Sequence, residues 1–455
     1  MKIIVVGLGD TGILVSSLMA DEHDVTVVDS NRHIVDSCTD KYNVNGIVGS
    51  GASRNILIQA GAEKADVIVA LTPFDEINLL ICKVAKNCGT RYSVAMVHLP
   101  ELARDRDYFK KEFDIDYVVN PKQDTATEIA RQIGLPGNVR ADAFFNKEAT
   151  IIKIKIDEKS PLVGMDMRDV KSFFATEMLV VSVVRGKKAY IPDGKFILED
   201  GDVIGVIASD RAIKDILEML GLIRERINDV WIIGGGTTAY YLATRLLEKK
   251  KNVKIFDNNR ERCISLSEQL PDARISYVES VDSDVLIEEG IKKADACVTL
   301  TGSDETNLVI SLFAWSCGVE SIITRVKKPS YEKLLSKENL DITISPAVVS
   351  AERIMGFVRN VTVFNKDGND IDSLYQILGG LTEAIEFTAY DNFAARDIPF
   401  SDKRFCLKKD IIIAAIIRNK RVFIPDGETS IKTGDKVIVA ALKGHGLNVL
   451  NDILK

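Results

Sequence analysis

The chain has 455 residues, 46% apolar and 27% charged, a balance that suits several soluble globular domains and excludes a low-complexity or disordered polymer. A net charge of -7 without a sizeable basic block argues against a nucleic-acid partner, and the longest apolar runs, such as Ile411–Ile417, fall far short of a bilayer span. Seven cysteines form no CxxC pair and the four histidines are far apart, so reduced, buried thiols and no metal are expected.

The chain opens MKIIVVGLGDTG, where an apolar run over 3–6 breaks into glycines and leads to a helical stretch over 12–20. No secretory signal is legible there, so the cytoplasm is the expected compartment. Gly7-Leu8-Gly9-Asp10-Thr11-Gly12 stands between strand and helix, the context in which such a pattern points to a nucleotide. Gly7 permits the tight turn, Gly9 lets the backbone approach a pyrophosphate, and Gly12 lets helix and strand pack closely. The helix N-terminus offers free N–H groups and positive dipole to phosphates. A run over 25–28 ends in Asp29, seventeen residues after Gly12. A carboxylate there accepts hydrogen bonds from the adenosine ribose and repels a 2′-phosphate, which favours NAD(H) or another adenosine nucleotide over NADP(H).

Runs over 67–71, 94–97 and 117–119 alternate with helical stretches over 32–39, 53–60 and 76–87. The alternation predicts βαβ units and a doubly wound parallel sheet. Thr72 and Pro73 follow the run over 67–71, at the edge where such a sheet binds ligands. Asp75 either borders that crevice or caps the next helix.

From residue 150 the pattern changes. Runs over 150–156, 179–184, 188–191 and 203–207 are separated by Pro192-Asp193-Gly194 and Asp200-Gly201-Asp202. A hairpin at Arg185-Gly186-Lys187-Lys188 and an amphipathic helix over 210–220 complete what reads as a small α+β domain.

Near residue 231 the chain begins again. WIIGGGTTA restores strand and loop as Gly234-Gly235-Gly236-Thr237-Thr238-Ala239, with alanine an accepted small residue at the third position, and VKIFD supplies Asp257. Residues 64–78 and 293–307 are identical at nine of fifteen positions, matching Thr72, Asp75 and Asn78 to Thr301, Asp304 and Asn307. Gly302 stands where the first copy has Pro73. The small domain recurs at an offset of 233, matching Arg185, Asp193 and Asp202 to Arg418, Asp426 and Asp435. These could line a ligand site or hold turns, and Asp-Gly pairs favour turns. The order is A-B-A′-B′: two Rossmann domains over 1–135 and 228–358, each followed by a small α+β domain, over 136–224 and 359–455.

Catalytic furniture is not legible. His23, His33, His98 and His445 lie in surface-like or non-repeating contexts, so none reads as the acid or base that hydride transfer needs. A duplicated nucleotide site without chemistry points to sensing rather than turnover.

The domain order, the two glycine loops, the LTxxDExN segments and the PDG…GD tails together resemble the regulatory-subunit family of bacterial and archaeal Trk potassium uptake systems. The A modules resemble TrkA-N (RCK N-terminal) domains and the B modules TrkA-C domains, over essentially the whole chain. The resemblance implies a cytosolic regulator, peripheral at the cytoplasmic face of the membrane, that binds NAD(H), with ATP or ADP as alternatives. It implies a membrane-embedded potassium-translocating partner, and the duplication is compatible with a homo-dimer or homo-tetramer. Nucleotide contacts implied by the resemblance are Gly7 to Thr11, Asp29 and Thr72-Pro73 at the first site, and Gly234 to Thr238, Asp257, Thr301-Gly302 and Arg325 at the second. The chain departs from the family where many relatives carry Gly-Asp after the third strand, reading Gly49-Ser50-Gly51 and Ser280-Val281 instead. Met96 replaces the arginine that matches Arg325, so the two sites are expected to differ in affinity or preferred nucleotide. Competing readings are an NAD-dependent oxidoreductase, a regulator of another cation system and a nucleotide-dependent scaffold.

Overall fold

The Val- and Ile-rich runs of the first half form a parallel sheet buried on both faces, as their continuous apolar character requires. Its strands are β1 (Lys2–Val6), β2 (Asp24–Asp29), β3 (Asn45–Val48), β4 (Val67–Ala70), β5 (Tyr92–Met96) and β6 (Tyr117–Val119), in the order β3-β2-β1-β4-β5-β6. Connecting helices include α1 (Asp10–Met19), α2 (Arg32–Lys41), α3 (Arg54–Gln59) and α4 (Asp75–Cys88). The computed structural model describes residues 1–99, 102, 106–133, 135, 139–145, 149–174, 176–222, 227–281, 283–327, 342–364, 371–419 and 421–455. The domain limits expected at 136 and 224 lie outside the described residues.

β3 carries the weakest apolar signal because it is the edge strand, exposed at Asn45 and Gly46. The helix expected from residue 12 starts at Asp10, with Gly9 as its extended N-cap.

The second half repeats the sheet with β12 (Asp229–Ile233), β13 (Asn252–Asp257), β14 (Arg274–Tyr277), β15 (Ala296–Thr299), β16 (Ser321–Arg325) and β17 (Ile342–Ile344). The order β14-β13-β12-β15-β16-β17 is the same. The chain divides into two compact units, and both parallel sheets belong to one of them, Met1–Ile133 with Arg226–Val358.

Within this unit the halves exchange their last helices. Ala126 and Ile129, on helix Pro121–Gln132 of the first half, are fully buried in the second half's core beside Leu242, Leu246 and Ile344. In return Phe357, on helix Pro346–Phe364, stacks on Tyr117 at 5.0 Å between centroids and meets Tyr92 edge-on. Each half thus completes the other's hydrophobic surface.

The other unit, Gly134–Glu225 with Arg359–Lys455, holds two antiparallel sheets. The first contains β7 (Val139–Phe145), β8 (Ala149–Lys155), β9 (Met178–Arg185), β10 (Lys188–Tyr190) and β11 (Val203–Ala208). The second contains β18 (Ile371–Ile377), β19 (Thr382–Thr388), β20 (Ile411–Arg418), β21 (Arg421–Phe423) and β22 (Lys436–Leu442). The orders β10-β9-β11-β8-β7 and β18-β19-β22-β20-β21 are one topology read from opposite edges. Ile151, Val181 and Ile207 of the first share a core cluster with Ala415, Ile438 and Ala440 of the second. The hairpin falls where the sequence put it, Lys188 opposite Arg185 with Gly186 at φ 62°, and the amphipathic helix spans Asp210–Met219.

The repeated Arg and Asp residues hold turns. Arg185 grips the fully buried Asp202 as a fork, Nε to Oδ1 and Nη2 to Oδ2 both at 2.8 Å, and also donates to the Ile197 carbonyl. Asp202 in turn accepts from the Glu199 N–H. Arg418 and Asp435 repeat the fork at 2.7 and 2.6 Å, with the Ser430 carbonyl and the Lys432 N–H as further partners. The carboxylate holds each guanidinium above its ordinary pKa. All seven cysteines are free, and Cys38, Cys82, Cys263 and Cys297 are buried as expected. Cys88 and Cys317 are half-buried, and Cys406 is exposed, since it follows a surface turn rather than lying in an apolar element.

Candidate functional site

In a sheet of order 3-2-1-4-5-6 the connections leave β1 and β4 toward opposite faces, which opens a crevice at their carboxyl ends. Both glycine loops lie there. Gly7 adopts φ 93° and Gly234 φ 103°, a left-handed region closed to most side chains. A Cβ on either would stand 2.8 or 2.9 Å from the backbone entering Thr72 or Thr301. Gly9 and Gly236 differ from these, because a Cβ on either would meet nothing within 4 Å. Their φ values of −72° and −68° suit any residue. Glycine there keeps space open in front of a helix N-terminus, as a phosphate cradle requires. A Cβ on Gly12 would lie 1.9 Å from the Gly7 carbonyl oxygen. Ala239 fills the matching position, fully buried, so the first loop sits tighter on its helix than the second.

Each strand-end carboxylate ties its loop to the sheet. Asp29 accepts from the Leu8 N–H through Oδ2 at 2.7 Å and from the Asn31 N–H through Oδ1 at 2.8 Å. Asp257 does the same with Gly235 at 2.6 Å and Asn259 at 2.8 Å. Asp257 is further gripped by Arg262, whose Nη1 lies 2.8 Å from Oδ2 and 3.1 Å from Oδ1. Ile34 occupies the place of Arg262 in the first copy. Sequence reasoning missed Arg262. Aligning the copies at Asp29 and Asp257 and reading five residues on would have shown it.

Across the crevice, Thr72-Pro73 and Thr301-Gly302 follow β4 and β15. Their backbone is locked by Asn78 and Asn307, both fully buried. Asn78 Oδ1 accepts from Thr72 N at 2.9 Å, and its Nδ2 donates to the Thr72 carbonyl. Asn307 Oδ1 accepts from Thr301 N at 2.8 Å, and its Nδ2 donates to the Arg325 carbonyl. These contacts are what the two asparagines do beyond the helix start.

Asp75 and Asp304 do not cap their helices. Phe74 is the N-cap of α4 without a side-chain bond, and Ser303 caps helix Asp304–Ser316 through Thr306 N. Asp75 reaches instead across the crevice to the backbone N–H groups of His98 and Leu99, at 2.8 and 2.7 Å, and Asp304 to that of Lys327 at 2.8 Å. His98 is therefore not a free surface residue, since its Nδ1 lies 3.0 Å from Asp75 Oδ1. The matching residue is Lys327, which suits a positional role for this pair rather than a shared chemistry.

The second cleft has a volume of about 1150 Å3 and is lined by the loop Gly234–Thr237, Asp257, Arg262, Thr301 and Arg325, which brings together most of the residues expected there. Thr238 turns toward a neighbouring crevice of about 450 Å3 between the two halves, which Asp10, Thr11 and Arg325 also line. Arg325 Nε is buried without a hydrogen-bond partner among the described residues. Burial pushes its guanidinium below its ordinary pKa, an effect partly offset by the Asp304 charge. An unsatisfied buried donor beside a glycine cradle suits a phosphate oxygen. In the first copy the buried Met96 holds this position. Asp29, with two acceptor positions unfilled among the described residues, and the open Gly9 fit an adenosine ribose and its phosphates.

Among the described residues no helix is long and apolar enough to cross a membrane, and no group of three or more His, Cys, Asp or Glu could hold a metal ion.

The TrkA-N domain pattern matches residues 3–121 and 230–346, and the TrkA-C domain pattern matches 151–221 and 395–452. The Trk system potassium uptake protein TrkA of Haemophilus influenzae is 29% identical over 447 residues, covering 96% of this chain and 95% of its own. The Trk system potassium uptake protein TrkA homolog of Archaeoglobus fulgidus is 30% identical, covering 97% of each chain. Among solved structures, the GsuK channel bound to NAD superposes with a TM-score of 0.63 at 17% identity, over 97% of this chain and 77% of that one, a likeness of fold.

Proposed function

Because the chain belongs to the TrkA-N/TrkA-C family of Trk potassium uptake proteins, we propose that it is a nucleotide-sensing regulatory subunit that gates a membrane-embedded potassium-translocating partner. The observation that carries this reading is the duplication of one ligand cradle: two glycine loops, open at Gly9 and at Gly236 and each anchored by a strand-end carboxylate. Adenosine nucleotides are the ligands, NAD(H) foremost and ATP or ADP as alternatives, held by the loops Gly7–Thr11 and Gly234–Thr238, by Asp29 and Asp257, and by the crevice edges Thr72-Pro73 and Thr301-Gly302. Arg325 adds a phosphate contact at the second site. The domain limits proposed remain 1–135, 136–224, 228–358 and 359–455.

The role is binding rather than turnover. A ligand shifts an assembly between two arrangements only through unequal affinity for them, and the loops and crevice edges are where that inequality arises. The subunit works at the cytoplasmic face of the membrane, as a homo-oligomer held there by its partner.

The test is calorimetric titration with NADH, NAD, ATP, ADP and NADPH on the wild type, Asp29→Ala and Asp257→Ala, followed by potassium flux through the reconstituted partner. Saturable binding weakened by each substitution, with nucleotide-dependent flux, is expected. Binding without any effect on flux would leave a scaffold, and turnover of NADH with a small alcohol or acid would make the chain an oxidoreductase.

A further inference from the structure

The two cradles share a backbone but differ in charge, and the differences face the ligand. Arg262 and Arg325 both line the second cleft. The first copy has Ile34 and Met96 in their places. The carboxylates differ accordingly. A carboxylate has about four acceptor positions. At Asp257 all four are used, two by the Gly235 and Asn259 N–H groups and two by Arg262, and the side chain is only 4% exposed. Among the described residues the two backbone N–H groups are the partners of Asp29, whose side chain is half-buried, so one position on each oxygen stays open.

We infer, on the reading that both clefts bind adenosine nucleotides, that the sites divide recognition: the first reads the ribose diol through Asp29, and the second reads phosphate charge through Arg262 and Arg325. A vicinal diol can donate to both open positions of Asp29. It cannot do so at Asp257 without displacing Arg262, whose own side chain is about half exposed and near enough to meet an anionic ligand. The guanidinium of Arg325, half-buried and with its Nε unsatisfied among the described residues, supplies a second cation that is less screened than one at the open surface. The ligand class of the second site is a nucleoside polyphosphate, with affinity set by its phosphates and not by its 2′-hydroxyl.

Single-site proteins test this. Gly9→Val and Gly236→Val place a side chain in the space kept open in one loop, so that each leaves the other site alone. Calorimetric titration with AMP, ADP, ATP and 2′-deoxy-ATP at 50 and 300 mM salt then reads each site. At the first site, with Gly236→Val, the loss of one charge-assisted hydrogen bond should weaken 2′-deoxy-ATP about tenfold against ATP. At the second site, with Gly9→Val, the two should agree within about twofold. Affinity there should climb steeply from AMP to ATP and fall steeply with salt.

Adding Arg262→Ile to Gly9→Val frees Asp257, so the deoxy penalty should appear. Adding Ile34→Arg to Gly236→Val should remove the penalty from the first site. Melting curves of each variant identify any that fails to fold, and the two substitutions, in different halves, check one another. A full deoxy penalty at the unmodified second site, or one unmoved by either swap in a folded protein, overturns the inference while leaving the nucleotide reading intact. Absence of nucleotide binding to the wild type and to both single-site proteins overturns the reading itself.

Discussion

Asn78 Nδ2 donates to the Met96 carbonyl at 2.9 Å, fastening the end of β5 to the loop that leaves β4. Asn307 fastens β16 at Arg325 in the same way, at 3.0 Å. Each asparagine is fully buried, and its removal strands backbone groups that water does not reach. Asn78→Ala and Asn307→Ala should each cost about 3 kcal/mol in urea unfolding, from two or more stranded buried groups. They should differ in binding. Asn307→Ala releases the strand end carrying Arg325 and should weaken nucleotide at the second site. Asn78→Ala frees Thr72 as Asn307→Ala frees Thr301, but the strand end it releases carries Met96 and no cation, so it should cost stability with a smaller effect on ligand.

The glycine loops predict a split between folding and binding. A Cβ on Gly12 lies 1.9 Å from the Gly7 carbonyl oxygen, whereas a Cβ on Gly9 meets nothing within 4 Å. Gly12→Ala should therefore destabilise the first half by about 1–3 kcal/mol, the range for overpacking. Gly9→Ala and Gly236→Ala should leave the melting temperature almost unchanged. Each should weaken nucleotide at its own site tenfold or more, because the methyl group occupies phosphate space. Equal affinity in Gly9→Ala and the wild type would move the ligand away from this loop.

How far the fold was legible follows from what each element had to bury. Central strands such as β4, apolar throughout and buried on both faces, announced themselves, and so did the loops, whose glycines are required by backbone geometry. The edge strand β3 was faint because half of it faces solvent. Strands β7 and β18 and helix Met167–Phe174 mix polar and apolar residues and went unread. The repeat located the site but not its cross-links. For Asp75 the position at a helix start left crevice and cap both open, and the approach of the chain at His98 and Leu99 supplies its donors instead of the helix N-terminus. The exchange of helices between halves was invisible, since an amphipathic pattern does not say whose core receives its apolar face.

The Arg185–Asp202 fork predicts unequal costs for its two partners. Asp202 is fully buried, and the Arg185 side chain is 32% exposed. Arg185→Ala leaves a buried carboxylate without its cation, a loss of about 3–5 kcal/mol for buried pairs. Asp202→Ala leaves an arginine that can turn to water, so it should cost less, about 1–2 kcal/mol. Arg418→Ala and Asp435→Ala should repeat the order in the second small domain. Denaturant midpoints measure it, and the reverse order would mean that Asp202 serves chiefly to hold the Glu199 backbone.

The thiols give a test in alkali. Burial pushes Cys297 up from 9.0 to about 12, and burial, assisted by the Asp116 charge, raises Cys82 further. A buried neutral thiol keeps its proton in the folded chain after the unfolded chain has lost it, so the folded state binds more protons between these limits. The stability it contributes is intact below about pH 9 and declines as pH rises through about 12. The slope is roughly 1.4 kcal/mol per pH unit for each such thiol. Lysines and tyrosines titrate in the same range, so the difference between wild type and Cys297→Ala isolates the cysteine. The gap between the two unfolding free energies should be constant up to about pH 9 and shrink above it. At pH 8 a thiol reagent should label the exposed Cys406 first and the half-buried Cys88 and Cys317 more slowly. Cys82 and Cys297 should react only on unfolding. Rapid labelling of Cys297 in the folded chain would mean that the core beneath β15 opens, and the pH dependence should then vanish with it.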